Sequence, residues 1–407
     1  MNEPKLRFKA DDGSDFPNWE ARTLDTLMSF KNGINASGEK FGKGIKCISV
    51  MDILNNSYIT YDIIKGYVDI DEKTLHSFSV EYGDVVFQRS SENVEDAGRA
   101  NVYMDKEKIA TFSGFVIRGK RKTDYEPLFM NALMSTFFVR KQIMAKAQGA
   151  QHINIGQEML NSVVVIMPRL PEQQKIADFL SAIDTVIEKQ QATAKAWEQR
   201  KKGVMQKLFN QEVRFKADDG SDFPDWEEKR FGDIVKEFKE KTTIENEDTL
   251  LSCAIDGIYL NSELFGHQRG QSNIGYLKIK QGTLILSAQN LHLGNVNVNM
   301  RFKHGIISPA YKTYQIVGCN VKYMNQWVKW DKTKQFFYNA TTVGASGCRR
   351  NVDWMLLYQQ VLKLPSPLEQ QKIADCLSAL DDVIKKQKEI LEKWKELKKG
   401  LLQQMFV

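Results

Sequence analysis

Two stretches of the chain carry apolar residues at alternating steps of three and four. The first runs through Ile176, Leu180, Ile183, Ile187, Gln190, Ala194, Trp197, Val204 and Leu208. The second runs through Ile373, Leu377, Leu380, Ile384, Gln387, Leu391, Trp394, Leu401 and Met405, skipping one place at Lys398. This spacing draws one apolar seam along a helix, the a and d positions of a heptad. Pro171 suits a first helical turn, where its missing N–H costs nothing, and Pro365 and Pro367 precede the second run. Each helix of about 39 residues would be ~58 Å long. Alone, so long a half-apolar rod is marginal, and each run is the obvious partner of the other. Gln190 and Gln387 hold the same seam place, where a polar residue fixes register. An antiparallel pairing would relate the two by a pseudo-twofold axis.

Elsewhere the pattern is shorter. Apolar and β-branched runs at Ile45–Ile53, Asp84–Ser90, Thr111–Gly119 and Asn161–Pro168 predict strands. A second set follows at Thr249–Ile255, Gly282–Asn290, Ala310–Val317 and Tyr358–Pro365. Helical stretches, "PLFMNALMSTFFVRKQIMAK" and "MNQWVKWDKTKQFFYNA", lie between the later strands of each set. The order of elements runs in parallel although the residues differ.

The seams are part of a larger repetition. "RFKADDGSDFPNWE" (Arg7–Glu20) returns as "RFKADDGSDFPDWE" (Arg214–Glu227), identical at thirteen of fourteen positions. Glu172–Phe209 matches Glu369–Phe406 at 21 of 38 positions. The chain thus reads phrase (1–20), variable region (21–168), helix (169–210), then phrase (211–227), variable region (228–365), helix (366–407). The expected class is α+β: two mixed α/β domains joined by two long antiparallel coiled-coil helices. The frame is held equal while its contents diverge, which suggests one mounting for two different specificities.

Composition narrows the chemistry. Hydrophobic content of 42% and charged content of 27% are ordinary for a globular protein, and no apolar run approaches the ~20 residues that span a bilayer. Five scattered cysteines never form a CxxC pair, which argues against structural zinc or a disulfide frame and for a reducing cytoplasm. The net charge of +6 permits a polyanionic partner without demanding one. There is no G-x-x-x-x-G-K-[ST], no Asn-Pro-Pro-aromatic methyltransferase motif, and no histidine spacing fit for a metal. "PDWEEK" (Pro224–Lys229) is superficially nuclease-like, but its carboxylates are too close in sequence for adjacent strands. The basic pairs in "RKKG" (Arg200–Gly203) and "LKKG" (Leu397–Gly400) read as solvated faces near helix ends. The candidate chemistry is instead in polar loops after matching strands: Gln88, Arg89, Ser90, Asn93 and Arg99, with Gln148, Gln151 and His152 in the first region. Gln289, Asn290, His292, Arg349 and Arg350 are their counterparts in the second. Arginine pairs with guanine and asparagine or glutamine with adenine in the major groove. The alternative is a non-catalytic pseudo-dimeric coiled-coil adaptor that binds proteins rather than DNA.

"LPEQQKIADFLSAIDTVIEKQ" and "PLEQQKIADCLSALDDVIKKQ" resemble the conserved helices of specificity subunits of type I restriction–modification enzymes. The twin phrases, "GDVVF", "GTLIL" and "LSCAIDGIYL" are similar to other elements of that family, and the resemblance covers essentially the whole chain. It implies two target-recognition domains, each reading half of a split double-stranded DNA site, with the spacer helices setting their separation. It also implies a non-catalytic chain whose partners carry the chemistry. Two methylation subunits would use S-adenosylmethionine, and motor–nuclease restriction subunits would use ATP and magnesium.

Overall fold

The apolar runs Val85–Gln88 and Thr283–Ser287 each form an inner strand of a four-stranded antiparallel sheet. The computed structural model, which describes residues 4–147, 153–265, 272–343 and 350–406, divides into two units. Unit 1 comprises Met1–Gln191 with Ile390–Val407, and unit 2 is Ala192–Glu389.

In unit 1 the sheet order is Met28–Asn32, Val116–Arg121, Val85–Gln88, Ala100–Val102. Unit 2 repeats it as Val235–Phe238, Tyr311–Ile316, Thr283–Ser287, Val296–Val298. The inner strands are continuously apolar because both their faces are covered. Val85 and Phe87 join one core and Val86 another; Leu284 and Leu286 join one and Ile285 another. Gly83 and Gly282 precede these strands with φ of 85° and 86°, a turn only glycine makes without strain.

Several elements are shorter than their patterns suggested. The run from Ile45 to Ile53 is a strand only to Ile48, and Val50–Leu54 is helical. Ser49 and Asp52 explain the switch, because the Asp52 carboxylate accepts from both the amide and the hydroxyl of Ser49. Thr111–Gly119 is two strands, Thr111–Phe112 and Val116–Arg121. The helical stretches each break in two, at Pro127–Met134 with Phe137–Lys146 and at Val321–Trp327 with Asp331–Asn339. Thr136 causes the first break by capping the helix that follows it.

The long helices span Leu170–Phe209 and Pro367–Met405, so Pro367 is a first-turn residue rather than one preceding the helix. Each helix begins in one unit and ends in the other. In unit 1 Ile176, Ala177 and Leu180, near the start of the first helix, share a core with Met405 and Phe406 at the end of the second. In unit 2 Met205, Leu208 and Phe209 share a core with Ile373, Ala374 and Leu377. Start packs against end in both, so the pairing is antiparallel. The seam's central tryptophans, Trp197 and Trp394, are half-buried, as are Gln190 and Gln387. The sequence segmentation kept helices apart from variable regions; packing instead cuts each helix across, at Gln191 and at Glu389.

The skipped seam place is explained by charge. Lys398 pairs with Asp184 in unit 1, and Lys201, its equivalent, pairs with Asp381 at 2.6 Å in unit 2. Lys201 is 9% exposed. These lysines are therefore seam residues held by a carboxylate of the opposite helix, not members of a solvated face. A single ionic pair among apolar layers costs stability but favours one alignment.

The duplicated phrase clasps the start of each long helix. Glu172 and Glu369 are fully buried. Arg7 donates Nε and Nη2 to Glu172 at 3.0 and 2.8 Å, and Arg214 donates to Glu369 at the same distances. The same guanidiniums reach the carbonyls of Pro17 and Pro224 at 2.7 and 2.6 Å. Gln173 donates to the Pro168 carbonyl and accepts from the Glu126 amide; Gln370 does so with Pro365 and Asn320. Lys175 and Lys372 donate to the carbonyls of Lys9 and Lys216. Three residues of the repeated Glu-Gln-Gln-Lys thus tie each helix start, the glutamates and lysines to the phrase and the first glutamines to the module. The second glutamines, Gln174 and Gln371, donate to Asp178 and Asp375 one turn on, and Gln371 also accepts from the Asn320 side chain.

Candidate nucleic-acid interface

Five polar residues singled out in the first region, Gln88, Arg89, Ser90, Asn93 and Arg99, gather at the end of one hairpin. The Gln88 amide donates to the Arg99 carbonyl at 2.8 Å, and the ten residues between them, 89–98, form the tip, closed by the Gly98 amide on the Gln88 carbonyl at 3.1 Å. In unit 2 the equivalent contact joins Ser287 and Asn295 at 3.1 Å, leaving seven, 288–294.

The two tips are built differently. In unit 1 Gln88 is buried, and its side-chain amide donates to the Ser90 carbonyl at 2.9 Å, so it supports the tip from below. Arg89 is half-buried and donates to the Gly114 carbonyl at 3.2 Å. Ser90 bonds Asn154 through its hydroxyl, and Ser90–Ser91 pairs with Ile153–Asn154. Asn93 and Arg99 are exposed. Asn93 bonds Asp96 in both directions, at 2.9 and 2.8 Å, and Asp96 Oδ1 holds Arg99 Nε at 2.8 Å. Gln148, Gln151 and His152 lie outside the described residues.

Two residues here escaped the sequence reading. Asp96 orients Arg99, and its place three residues before an arginine was the available signal. Arg140, on the helix Phe137–Lys146, donates Nη2 to the carbonyls of Glu95 and Ala97 at 2.9 and 2.7 Å and so fixes the tip's backbone. Burial, reinforced by the neighbouring Arg99 charge, lowers the pKa of Arg140. Nothing in the sequence tied it to this loop. Beside the tip lies a cavity of about 460 Å³, lined in part by Tyr58, Glu95, Arg99, Asn131 and Arg140. Gly98 has φ of 64°, and a Cβ there would lie 2.5 Å from the Ile143 side chain, so the tip's last bend requires glycine.

In unit 2 the tip is a short 3-10 turn, Leu291–Leu293, closed by left-handed Gly294. Gln289 and Asn290 are exposed and His292 half-exposed. Arg350 belongs to a separate ribbon, Thr341–Val343 with Arg350–Val352, and is folded back upon it. Its Nε and Nη2 donate to the Thr341 hydroxyl and carbonyl, both at 2.7 Å, and its guanidinium lies 4.1 Å from the Tyr338 ring centroid. Arg349 lies outside the described residues.

Behind both tips a buried asparagine stitches the edge strand to the outer core. Asn101 donates to the carbonyls of Ile53 and Asn56 at 3.1 and 2.8 Å, and Asn297, its equivalent, to that of Ala254 at 2.8 Å. Among the described residues no group of histidine, cysteine and carboxylate side chains could hold a metal ion, and no helix is long and apolar enough to cross a membrane.

Residues 17–195 match the family described as the type I restriction modification DNA specificity domain. A Methanocaldococcus jannaschii protein assigned to the MjaX type I restriction enzyme as its specificity subunit is 26% identical over 97% of this chain and 95% of its own. The chain is thus similar along nearly its whole length to a type I restriction–modification specificity subunit. The MjaVIII specificity subunit of the same organism is 25% identical over 86% of this chain and 84% of its own. The fold agrees with that of a solved S subunit from M. genitalium. The TM-score is 0.54 at 15% identity, with 100% of this chain and 99% of that one covered. The family match falls on the first copy of the repeat; the second unit shares its sheet order and its clasp.

Proposed function

We propose that this chain is a specificity subunit that reads a bipartite double-stranded DNA site, each unit recognising one half through its hairpin tip. The paired helices fix the spacing between the halves and dock methylation subunits. In this reading the chain is not itself catalytic: methylation subunits bring S-adenosylmethionine, and restriction subunits bring ATP and magnesium. The observation that supports it best is the contrast between a shared arginine–glutamate clasp and unlike tips. Two copies of one mounting, carrying two different sets of hydrogen-bonding side chains, are what a two-part sequence requires. No observation favours a protein-binding adaptor.

The test is assembly with the methylation subunits, followed by a gel shift on genomic fragments and mapping of methylated adenines. A single split motif is expected; indiscriminate or absent binding would sink the reading. Successive half-sites on one duplex face are centred ~34–36 Å apart. Inserting one heptad into both long helices should therefore lengthen the tolerated spacer or abolish methylation. Methylation at the original spacing with undiminished efficiency would show that the helices do not set it.

A further inference from the structure

We propose that Arg99, steered by Asp96, is the guanine-reading side chain of unit 1. This inference rests on the DNA-reading function above and names the residue and the base.

Arg99 differs from the other described candidate arginines in what it has left to give. Arg350 uses Nε and Nη2 on its own ribbon and stacks on Tyr338. Arg89 gives Nη1 to a neighbouring carbonyl. Arg99 has one ion pair, its Nε 2.8 Å from Asp96 Oδ1, and its side chain is 52% exposed. Neither terminal nitrogen has a hydrogen-bond partner among the described residues. The carboxylate holds the guanidinium by charge on its Nε side and leaves the Nη1–Nη2 edge for another partner. That edge matches the O6 and N7 acceptors that guanine presents in the major groove.

The support beneath it is rigid, as precise reading requires. Arg99 is the first residue of the hairpin ladder beyond the tip. Asp96 is held by Asn93, and the backbone at Glu95 and Ala97 is pinned by Arg140. In unit 2 the equivalent place is Asn295, which is 4% exposed, so this device belongs to one unit only.

Charge separates base reading from phosphate contact. An arginine paired with a carboxylate adds almost no net charge, so it gains little by displacing counterions from the DNA backbone. Its directional donors remain, and those carry sequence information. Lysine cannot replace it: one ammonium group cannot sit on Asp96 and also present a two-pronged edge.

The experiment uses the full chain assembled with its methylation subunits. Affinity is measured on the mapped site and on single-base-pair variants at several salt concentrations, for wild type, R99A and R99K. At one G·C pair in one half-site, wild type should discriminate and R99A should lose about 5- to 150-fold of that preference. R99K should lose a comparable amount, the salt slope should stay unchanged, and the other half-site should be read as before. An equal loss on every sequence, with the salt slope lowered by about one and restored by R99K, would make Arg99 a phosphate contact and overturn the inference. Unaltered discrimination in R99A would overturn it as well. If wild type itself shows no sequence preference, it is the DNA-reading function that fails.

Discussion

The two clasps and the two hairpin tips teach opposite lessons about one duplication. Arg7–Glu172 and Arg214–Glu369 agree bond for bond. The tips that the same units carry differ in length, in turn type and in every candidate contact. A clasp has one mechanical task, to hold a helix start against a module, and that task is the same at both ends of the chain. A tip faces outward, and the contacts that hold it, such as Arg140 on Glu95 and Ala97, lie within its own unit and can change with it. The division between what repeats and what differs is therefore a division between inward and outward work.

Three measurements would break or sharpen this comparison. Removing the clasp arginine should cost most, because it strands a fully buried carboxylate. R7A and R214A should each destabilise by about 3–5 kcal/mol, seen as a lowered denaturation midpoint. A large loss for one and none for the other would deny that the clasps are equivalent. Next come the buried asparagines. N101A and N297A should each cost about 1–3 kcal/mol by leaving main-chain carbonyls unpaired in the core. N101A should cost the more, since Asn101 serves two carbonyls where Asn297 serves one strongly. The smallest effect concerns a tryptophan bond by which the clasps differ. Trp226 Nε1 donates to Glu369 at 3.2 Å, whereas Trp19 Nε1 is buried without a partner. W226F should lose about 1 kcal/mol and W19F almost nothing; equal losses would mean that ring size, not the hydrogen bond, matters there.

Much of this architecture was legible because it is periodic. The seams, the apolar inner strands and the twin phrases all announce themselves by spacing or repetition, and each stands where its pattern placed it. What stayed hidden depends on direction. Lys201 and Lys398 read as solvated because a heptad count does not say which carboxylate lies across the seam. Arg350 carried the right chemistry for reading a base, yet its long side chain turns back onto Thr341 and Tyr338. Gln88 sat in a polar loop by sequence and supports it from beneath. Asn101 and Asn297, single polar residues in apolar strands, carry no periodic mark. Asp96 and Arg140 matter through a loop whose path only the fold supplies.

The first glutamines of the repeated motif, Gln173 and Gln370, make their bonds to main-chain carbonyls and amides rather than to side chains. Every peptide unit offers those groups, whatever residue stands there. A module can therefore exchange almost any of its side chains by mutation without loosening its anchorage, and new tips can be tried while the rod beneath them stays in place.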